Sequence, residues 1–180
     1  FYYRRGGDCV CTINLEELLK RKGHEVAIFA MQYPDNIETP WSKYFPGEVK
    51  FKPGLGMLEA LLRPFGTNEV KRKFTALLDD FCPDIVHLNN IHSQLSPVIA
   101  EIAHQKGIKV IWTLHDYKLL CPRYDCLRDG KEICELCFNS DKTSCKTYKC
   151  MKGSALASLI GYKEAMTWNR QRLENCTDVF

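Results

Sequence analysis

The sequence predicts an α/β fold in which helices cover both faces of a doubly wound parallel sheet. Two observations predict this class: short, continuously apolar runs at residues 84–88 and 108–114, and amphipathic helical stripes on either side of them. Strands that are apolar on both sides are typical of parallel sheets with two covered faces. The 180 residues, 45% of them hydrophobic, suffice for one domain with its own core.

The first half of the chain is predicted to contain one helix, one strand and one long loop. Residues 8–22 carry apolar side chains at helical spacing, and Gly23 ends that helix. Residues 25–30 form a short buried strand. Residues 31–67 are expected to form a proline- and aromatic-rich loop, because five of the eight prolines lie there, namely Pro34, Pro40, Pro46, Pro53 and Pro64.

The second half alternates helices and strands. Ser96 and Pro97 suit the first positions of a helix that Gly107 ends. Thr177 to Phe180 resembles the start of a further strand, and residues 1–3 resemble the end of an earlier one, so we expect residues 1–180 to be a single-domain fragment. In chain order, the elements predicted here are a helix at 68–81, a strand at 84–88, a helix from Ser96 to Gly107, a strand at 108–114 and a long helix at 154–176.

Composition excludes several classes of protein. The 25 Lys and Arg residues exceed the 22 Asp and Glu residues by 3, an excess too small to indicate nucleic acid as a partner. The sequence has no run of about 18 apolar residues that would span a membrane. Residues 1–5 also lack the apolar region of a secretory signal. We therefore predict a cytoplasmic protein, for which peripheral contact with the inner face of the cell membrane stays open.

Polar residues follow the two central strands at their carboxyl ends, where parallel α/β sheets bind ligands. Asn90 and His92 follow the first strand, and suit a hydroxyl-rich ligand as well as they suit a turn or cap. His115 follows the second strand and is the candidate catalytic residue, because an imidazole can stabilise a developing negative charge. Asp116 is expected to orient His115 or to cap the following turn. His87, inside its strand, is predicted to be a core histidine.

A glycine turn precedes the first helix. Gly6 and Gly7 would let a ligand approach the backbone, and the amides of a helix N-terminus attract anions. A simple tight turn explains the glycines equally well, and the charge of Asp8 would repel a phosphate. The sequence contains neither a phosphate-binding GxxxxGK[ST] loop nor a nucleophile elbow. The chain therefore offers binding groups without a self-contained catalytic set.

Cysteine is the extreme feature of the composition, since six of the ten cysteines lie within residues 121–150. The pairs Cys134-x2-Cys137 and Cys145-x4-Cys150 predict a structural zinc site with four thiolates. Three alternatives stay open: Cys121 and Cys126 replace one pair, all the thiols are free, or oxidation creates disulfides. Reduced thiols are favoured because no export signal accompanies the cluster.

Three stretches of the chain resemble the group 1 glycosyltransferases, a retaining family with the GT-B fold. They are residues 5–8 together with 18–26, residues 83–92 (PDIVHLNNIH), and residues 113–122 (TLHDYKLLCP). The likeness runs through nearly the whole chain in the same order. The cysteine-rich insertion at 121–150 is similar to that of members that make capsule, lipopolysaccharide or exopolysaccharide. Cys9 departs from the pattern, because many relatives have Glu at this position.

The resemblance implies two Rossmann-like domains, of which this chain is the amino-terminal, acceptor-side one. By position, Gly6 and Gly7 would line the cleft near the donor diphosphate or the transferred sugar, His115 would contact the transferred sugar, and Asn90 with His92 would face the acceptor. The family's front-face mechanism lets the leaving diphosphate accept the acceptor's proton. Catalysis in this fold generally needs no metal cofactor, so a zinc ion would be structural.

The function expected from the resemblance is sugar transfer of the hexosyltransferase type. The expected partners are a nucleotide-sugar donor, held by a carboxy-terminal domain outside residues 1–180, and a saccharide or lipid-linked saccharide acceptor. The isolated chain is therefore expected to be inactive. Two alternatives stay open: a non-catalytic sugar- or nucleotide-binding domain, and a zinc-stapled interaction module.

Overall fold

The computed structural model describes residues 1–49, 55–139 and 141–180. Parallel strands with flanking helices confirm the predicted α/β class, while the doubly wound arrangement of a larger sheet stays a prediction. In chain order the elements are α1 (Gly7–Arg21), a 3-10 helix (Pro40–Tyr44), α2 (Leu55–Leu62), a second 3-10 helix (Arg63–Phe65), α3 (Asn68–Phe81), β1 (Ile85–Leu88), α4 (His92–Leu95), α5 (Val98–Gln105), β2 (Lys109–Trp112), β3 (Leu127–Arg128), β4 (Glu132–Ile133), α6 (Thr143–Thr147), α7 (Ala155–Thr167) and α8 (Arg170–Glu174).

Helices α1 and α3 form where the apolar spacing predicts them. The buried face of α3 consists of the residues that the helical period selects, Val70, Phe74, Leu77 and Leu78. Cys82 ends α3 in a left-handed conformation with φ of 50°, and its amide donates to the carbonyl of Leu78. Helix α5 begins beside Ser96, whose hydroxyl accepts from the amide of Val98 and donates to the carbonyl of Pro64.

The central pair of strands is parallel. Ile85 pairs with Lys109 and Leu88 pairs with Trp112, so β1 and β2 end at the same edge. Val179 adds a parallel bridge to Ile111 on the other side of β2. The bridge lies within the segment from Thr177 onward that the sequence predicts to be the start of a strand.

The predicted strand at 25–30 is wrong. Residues 24–33 run without regular secondary structure, although Ala30 and Met31 are buried. A strand requires a neighbour that satisfies its backbone groups. No strand of the described residues pairs with this segment, whose residues 27–31 line a cavity of about 460 Å³ together with residues of β1.

Two further expectations are corrected. Part of the predicted loop at 31–67 is helical, since α2 and both 3-10 helices lie within it, while its residues 50–54 lie outside the described part of the chain. The predicted long helix at 154–176 is interrupted between α7 and α8. There Trp168 turns into the core and its indole donates to the carbonyl of Pro64, and Asn169 caps α8 by accepting from the Arg172 amide.

The main core lies around β2, where Val110 and Trp112 are fully buried. A smaller cluster, formed by Tyr2, Ile13, Ala30 and Phe45, packs beneath α1. Arg63 is also completely buried, and its guanidinium is 3.1 Å from the carboxylate of Glu69 and 3.4 Å from that of Glu59. These ion pairs tie the second 3-10 helix to α2 and α3.

Gly66 is expected to tolerate alanine poorly. Its φ is +86°, and an added Cβ would lie 2.7 Å from Cγ1 of Val98. Left-handed strain of about 1–2 kcal/mol and overpacking of about 1–3 kcal/mol together predict that Gly66→Ala lowers the free energy of unfolding by about 2–5 kcal/mol. Urea denaturation measures this change.

Gly107→Ala provides the matched control. Gly107 also has a positive φ, +73°, but an added Cβ meets no atom within 4 Å. The loss there is expected to stay at about 1–2 kcal/mol, the cost of backbone strain alone. Equal losses in the two variants would contradict the contact with Val98.

Candidate functional site

The carboxyl ends of β1 and β2 bring two loops into contact. The amide of Thr113 donates to the carbonyl of Leu88 at 2.9 Å, which continues the pairing beyond the strands. One step further, Nε2 of His115 lies 3.0 Å from Oδ1 of Asn89. The indole of Trp112 donates to the backbone carbonyl of Asn89 at 3.0 Å and so fixes the loop from below.

The start of α1 joins the same edge. Nδ2 of Asn90 donates to Oδ2 of Asp8 at 3.2 Å, and the amide of Cys9 donates to Oδ1 of Asp8 at 2.8 Å. Burial acts to raise the pKa of Asp8, but these hydrogen bonds and the nearby His115 outweigh it, so that the pKa is lowered. The three stretches predicted to bind ligand, at residues 6–7, 90–92 and 115, therefore lie along one rim, where the contacts are made by Asp8 with Asn90 and by Asn89 with His115.

The two glycines of this rim differ in their surroundings, because open space borders Gly7 but not Gly6. Gly6 is the N-cap of α1 in an extended conformation, with φ of −148°. A Cβ added to Gly7 would meet no atom within 4 Å, whereas one added to Gly6 would lie 3.2 Å from Oδ1 of Asp8. The ionised Asp8 occupies the first turn of α1, so the helix dipole is already balanced by a carboxylate.

The cavity of about 460 Å³ opens beside this rim. At its polar end it is lined by Asp8, Asn90, His92, Asp116 and Lys118. Its inner part is apolar and runs between residues 27–31 and β1. Three of the predicted site residues, Asn90, His92 and Asp116, therefore line one cavity, and Asn89 joins them to His115.

His92 lies beneath the rim and is only 9% exposed. Its ring packs on Trp112 with centroids 5.3 Å apart, and Nε2 is 3.9 Å from Oδ1 of Asp116. Burial, together with the nearby ammonium of Lys118, lowers the pKa of His92 to about 3. His92 is thus a neutral imidazole in the wall of the cavity at physiological pH.

The structure defines the roles of Asp116 and His87 more closely than the sequence does. Oδ1 of Asp116 accepts from the amide of Lys118 at 2.9 Å, so Asp116 caps the turn, one of its two predicted roles. The prediction that His87 is a core histidine is wrong, because His87 is exposed. Its Nε2 lies 2.8 Å from the hydroxyl of Thr113 on the adjacent loop.

A buried ion pair that the sequence did not reveal supports this edge. Nζ of Lys118 is 2.9 Å from Oε2 of Glu164 in α7, and the two side chains are 8% and 7% exposed. The same ammonium donates to the carbonyl of Pro122 at 2.8 Å. Sequence reasoning missed the pair because its partners lie far apart along the chain and no short-range pattern connects them.

The predicted zinc ligands gather at a second place. Cys134, Cys137, Cys145 and Cys150 line a cavity of about 10 Å³ together with Cys121, and all ten cysteines of the chain have free thiols. Burial raises the pKa of Cys137 to about 11 and that of Cys145 to about 12. As the side chains are placed, no three metal-binding groups of the described residues converge on one point, so the zinc site stays a prediction.

Within the residues that the structure describes, no helix combines the length and the apolar character needed to cross a bilayer.

The chain is similar to a known protein family and to a known bacterial protein. The sequence model of Glycosyltransferase Family 4 matches residues 5–130. A relative from Klebsiella pneumoniae, described as an uncharacterized 42.6 kDa protein in cps region, is 28% identical over 144 residues. The alignment covers 73% of this chain but 38% of the relative, so the chain spans well under half of that protein's length. No solved structure is significantly similar.

The buried His92 predicts a pH dependence of stability. The unfolded chain protonates this histidine near pH 6.5 and the folded chain only near pH 3. Folding stability should therefore fall as the pH decreases from about 6.5 to 3, by about 1.4 kcal/mol per unit of pKa difference. Urea denaturation at successive pH values measures the slope. A His92→Gln variant separates the contribution of His92 from that of the other titratable groups, and an unchanged slope in the variant would contradict the assignment of this slope to His92.

The pair of Lys118 and Glu164 is expected to matter for stability. Glu164→Gln leaves a buried ammonium without its counter-charge and should cost about 3–5 kcal/mol. Thermal and urea unfolding measure the loss. Glu174→Gln is the matched control, because its pair with Arg170 is exposed and should contribute at most about 1 kcal/mol. Equal effects in both variants would show that Lys118 finds another partner.

Proposed function

The chain belongs to Glycosyltransferase Family 4, and we propose that it is the acceptor-side domain of a sugar-transferring enzyme. This enzyme moves a sugar from a nucleotide-sugar donor to a saccharide or lipid-linked saccharide. Family membership supports sugar transfer in general. The identity of donor and acceptor, the hexosyltransferase type and the role of each rim residue are the parts that we propose.

The observation that carries the proposal is the rim at the ends of β1 and β2. Asp8, Asn89, Asn90 and His115 are joined by hydrogen bonds across three separate stretches of the chain. Amide, carboxylate and imidazole groups fixed in this way suit the many hydroxyl groups of a sugar. Because the rim is held before any ligand arrives, little ordering of its side chains is required on binding.

His115 is the group we assign to the transferred sugar. When Nε2 donates its proton to Oδ1 of Asn89, Nδ1 is left as an acceptor for a sugar hydroxyl. Asn89 is thus a positioning residue that sets the ring orientation and the tautomer of His115. Asn90, which is exposed and bonded to Asp8, offers its amide oxygen to the acceptor.

We place the donor-binding part of the enzyme outside residues 1–180. The described residues offer binding groups at the rim, and the chain covers 38% of its Klebsiella relative, which leaves room for a second domain in a protein of that size. Gly6 and Gly7 then face the transferred sugar of the donor across the cleft, with open space beside Gly7. The leaving diphosphate would accept the proton of the attacking hydroxyl, so that the chain needs neither a nucleophile nor a catalytic metal.

The setting we propose is the synthesis of capsule or a related surface polysaccharide. The support is the description of the Klebsiella relative as a protein of the cps region. We propose that the enzyme acts in the cytoplasm, at the inner face of the membrane, where a lipid-linked acceptor would be accessible. The sequence excess of 3 positive charges is compatible with weak attraction to an anionic surface.

The test is made on the protein encoded by the intact gene. Release of nucleoside diphosphate is measured with a panel of nucleotide sugars and with lipid-linked or oligosaccharide acceptors. His115→Ala should lower kcat by about 10²-fold, the order of effect expected when the transferred sugar loses a group that positions it. Circular dichroism and urea denaturation verify that the variant is folded.

His104→Ala is the matched control, because His104 is exposed on α5, and its activity should be unchanged. Full activity of the His115→Ala enzyme would overturn the assignment of this residue. Residues 1–180 assayed alone should transfer no sugar, and turnover by them would overturn the two-domain proposal. Absence of transfer by the intact protein with every donor tested would count against the enzyme itself.

A further inference from the structure

We propose that Cys121, Cys134, Cys137 and Cys150 bind one structural zinc ion as thiolates. The four residues come from three turns that the fold brings to one place: the loop after β2, the turn after β4 and the turn after α6. The cavity between them has a volume of about 10 Å³, close to that of a single water-sized sphere. Such a space suits an ion and excludes an organic ligand.

The composition of the cavity wall argues for a soft metal. Five of its ten lining residues are cysteines, and its surface is almost entirely apolar. Zinc prefers four sulfur or imidazole ligands in tetrahedral arrangement, and short loops with a Cys-x2-Cys pair are its usual source. Calcium and magnesium require oxygen ligands instead.

The structure favours a different set of four from the one that spacing alone predicts. The thiol of Cys145 is 1% exposed and donates to the carbonyl of Ser158 in α7 at 3.7 Å. It also lies against Gly161, where an added Cβ would be 3.9 Å from its sulfur. The thiol of Cys150 also contacts a carbonyl, that of Ser144 at 3.9 Å, but Cys150 is only half-buried. Cys145 is the one packed between the segment and α7, so we place Cys121 in the ligand set instead of Cys145.

Cys126 is left outside the set for another reason. It does not line the cavity, and its thiol is hydrogen-bonded to that of Cys121. Its backbone has a positive φ of 55° and its carbonyl accepts from the amide of Cys134 at 2.8 Å. Cys126 thus positions the turn that carries Cys134.

The four thiols line the cavity, but their sulfur atoms do not converge on one point. Metal binding therefore requires the cysteine side chains to rotate inward. Each of the four thiols loses its proton when it coordinates, and four protons are released for each zinc ion bound. The site then carries a net charge of −2. Two cations are close: Arg123 donates to the carbonyl of Cys150 at 3.0 Å, and Lys142 donates to the carbonyl of Leu120 at 3.0 Å.

A metal would stabilise the cysteine-rich segment, which buries few apolar side chains. Strands β3 and β4 have two residues each and α6 has five. Several residues of the segment also hold a left-handed backbone conformation without being glycine, namely Tyr124, Cys126, Asp129, Lys142 and Lys149. Such conformations persist only where the surroundings enforce them, and a four-thiolate cross-link between three turns would do so.

The test measures metal directly and does not depend on sugar transfer. The full chain is produced with zinc in the medium and purified under reducing conditions. Elemental analysis should then find about one zinc ion per chain. Replacement by Co²⁺ should give the intense visible absorption of tetrahedral cobalt and the near-ultraviolet charge-transfer bands of four thiolates, a signature read on the wild-type protein.

Variants then identify the ligands. Cys134→Ser/Cys137→Ser should abolish the stoichiometric zinc, whereas Cys11→Ser, at an exposed position in α1, should retain it. Cys145→Ala should also retain it, and loss of zinc in that variant with normal circular dichroism would overturn the assignment of Cys121. A metal-free wild type, a cobalt spectrum with fewer than three thiolates, or a mass lowered by 2 Da for each disulfide would overturn the site.

Discussion

The parallel pairing of β1 with β2 is the constraint on which the candidate site depends. The register aligns Leu88 with Trp112, so that the residues following each strand emerge side by side. Asn89 then meets His115, and the indole of Trp112 holds the loop from beneath. A shift of the register by one residue would turn these side chains to opposite faces of the sheet. The pairing therefore decides which polar groups share the rim.

Burial and hydrogen bonding decide which side chains at this edge are charged and which are neutral. His92 is kept neutral by its position on Trp112, while Asp8 is kept ionised by hydrogen bonds from Asn90 and Cys9. The ammonium of Lys118 is buried as well, but its charge is balanced by Glu164. A fixed carboxylate, a fixed ammonium and neutral imidazole and amide groups thus surround one cavity. This mixture suits hydroxyl groups better than it suits a bare anion.

Helix α7 links the rim to the cysteine-rich segment. Its residue Glu164 pairs with Lys118, three residues beyond His115, while Ser158 accepts from Cys145. The hydroxyl of Ser158 also accepts from the amide of Met151 at 3.0 Å. The long stretch between β2 and α7 is therefore attached at both ends to one helix. A metal in the cysteine segment would stiffen the same support without touching a substrate.

Sequence by itself determined the α/β class, the helices α1 and α3, the two central strands and the three stretches that form the rim, because apolar periodicity and strand ends are local properties. Tertiary structure decided the rest. The segment at 25–30 has strand-forming residues but pairs with none of the described strands. Trp168 interrupts the predicted helix, because its indole donates to the carbonyl of Pro64. Burial of His92 and the pairing of Lys118 with Glu164 likewise follow from contacts between distant residues, which no local pattern encodes.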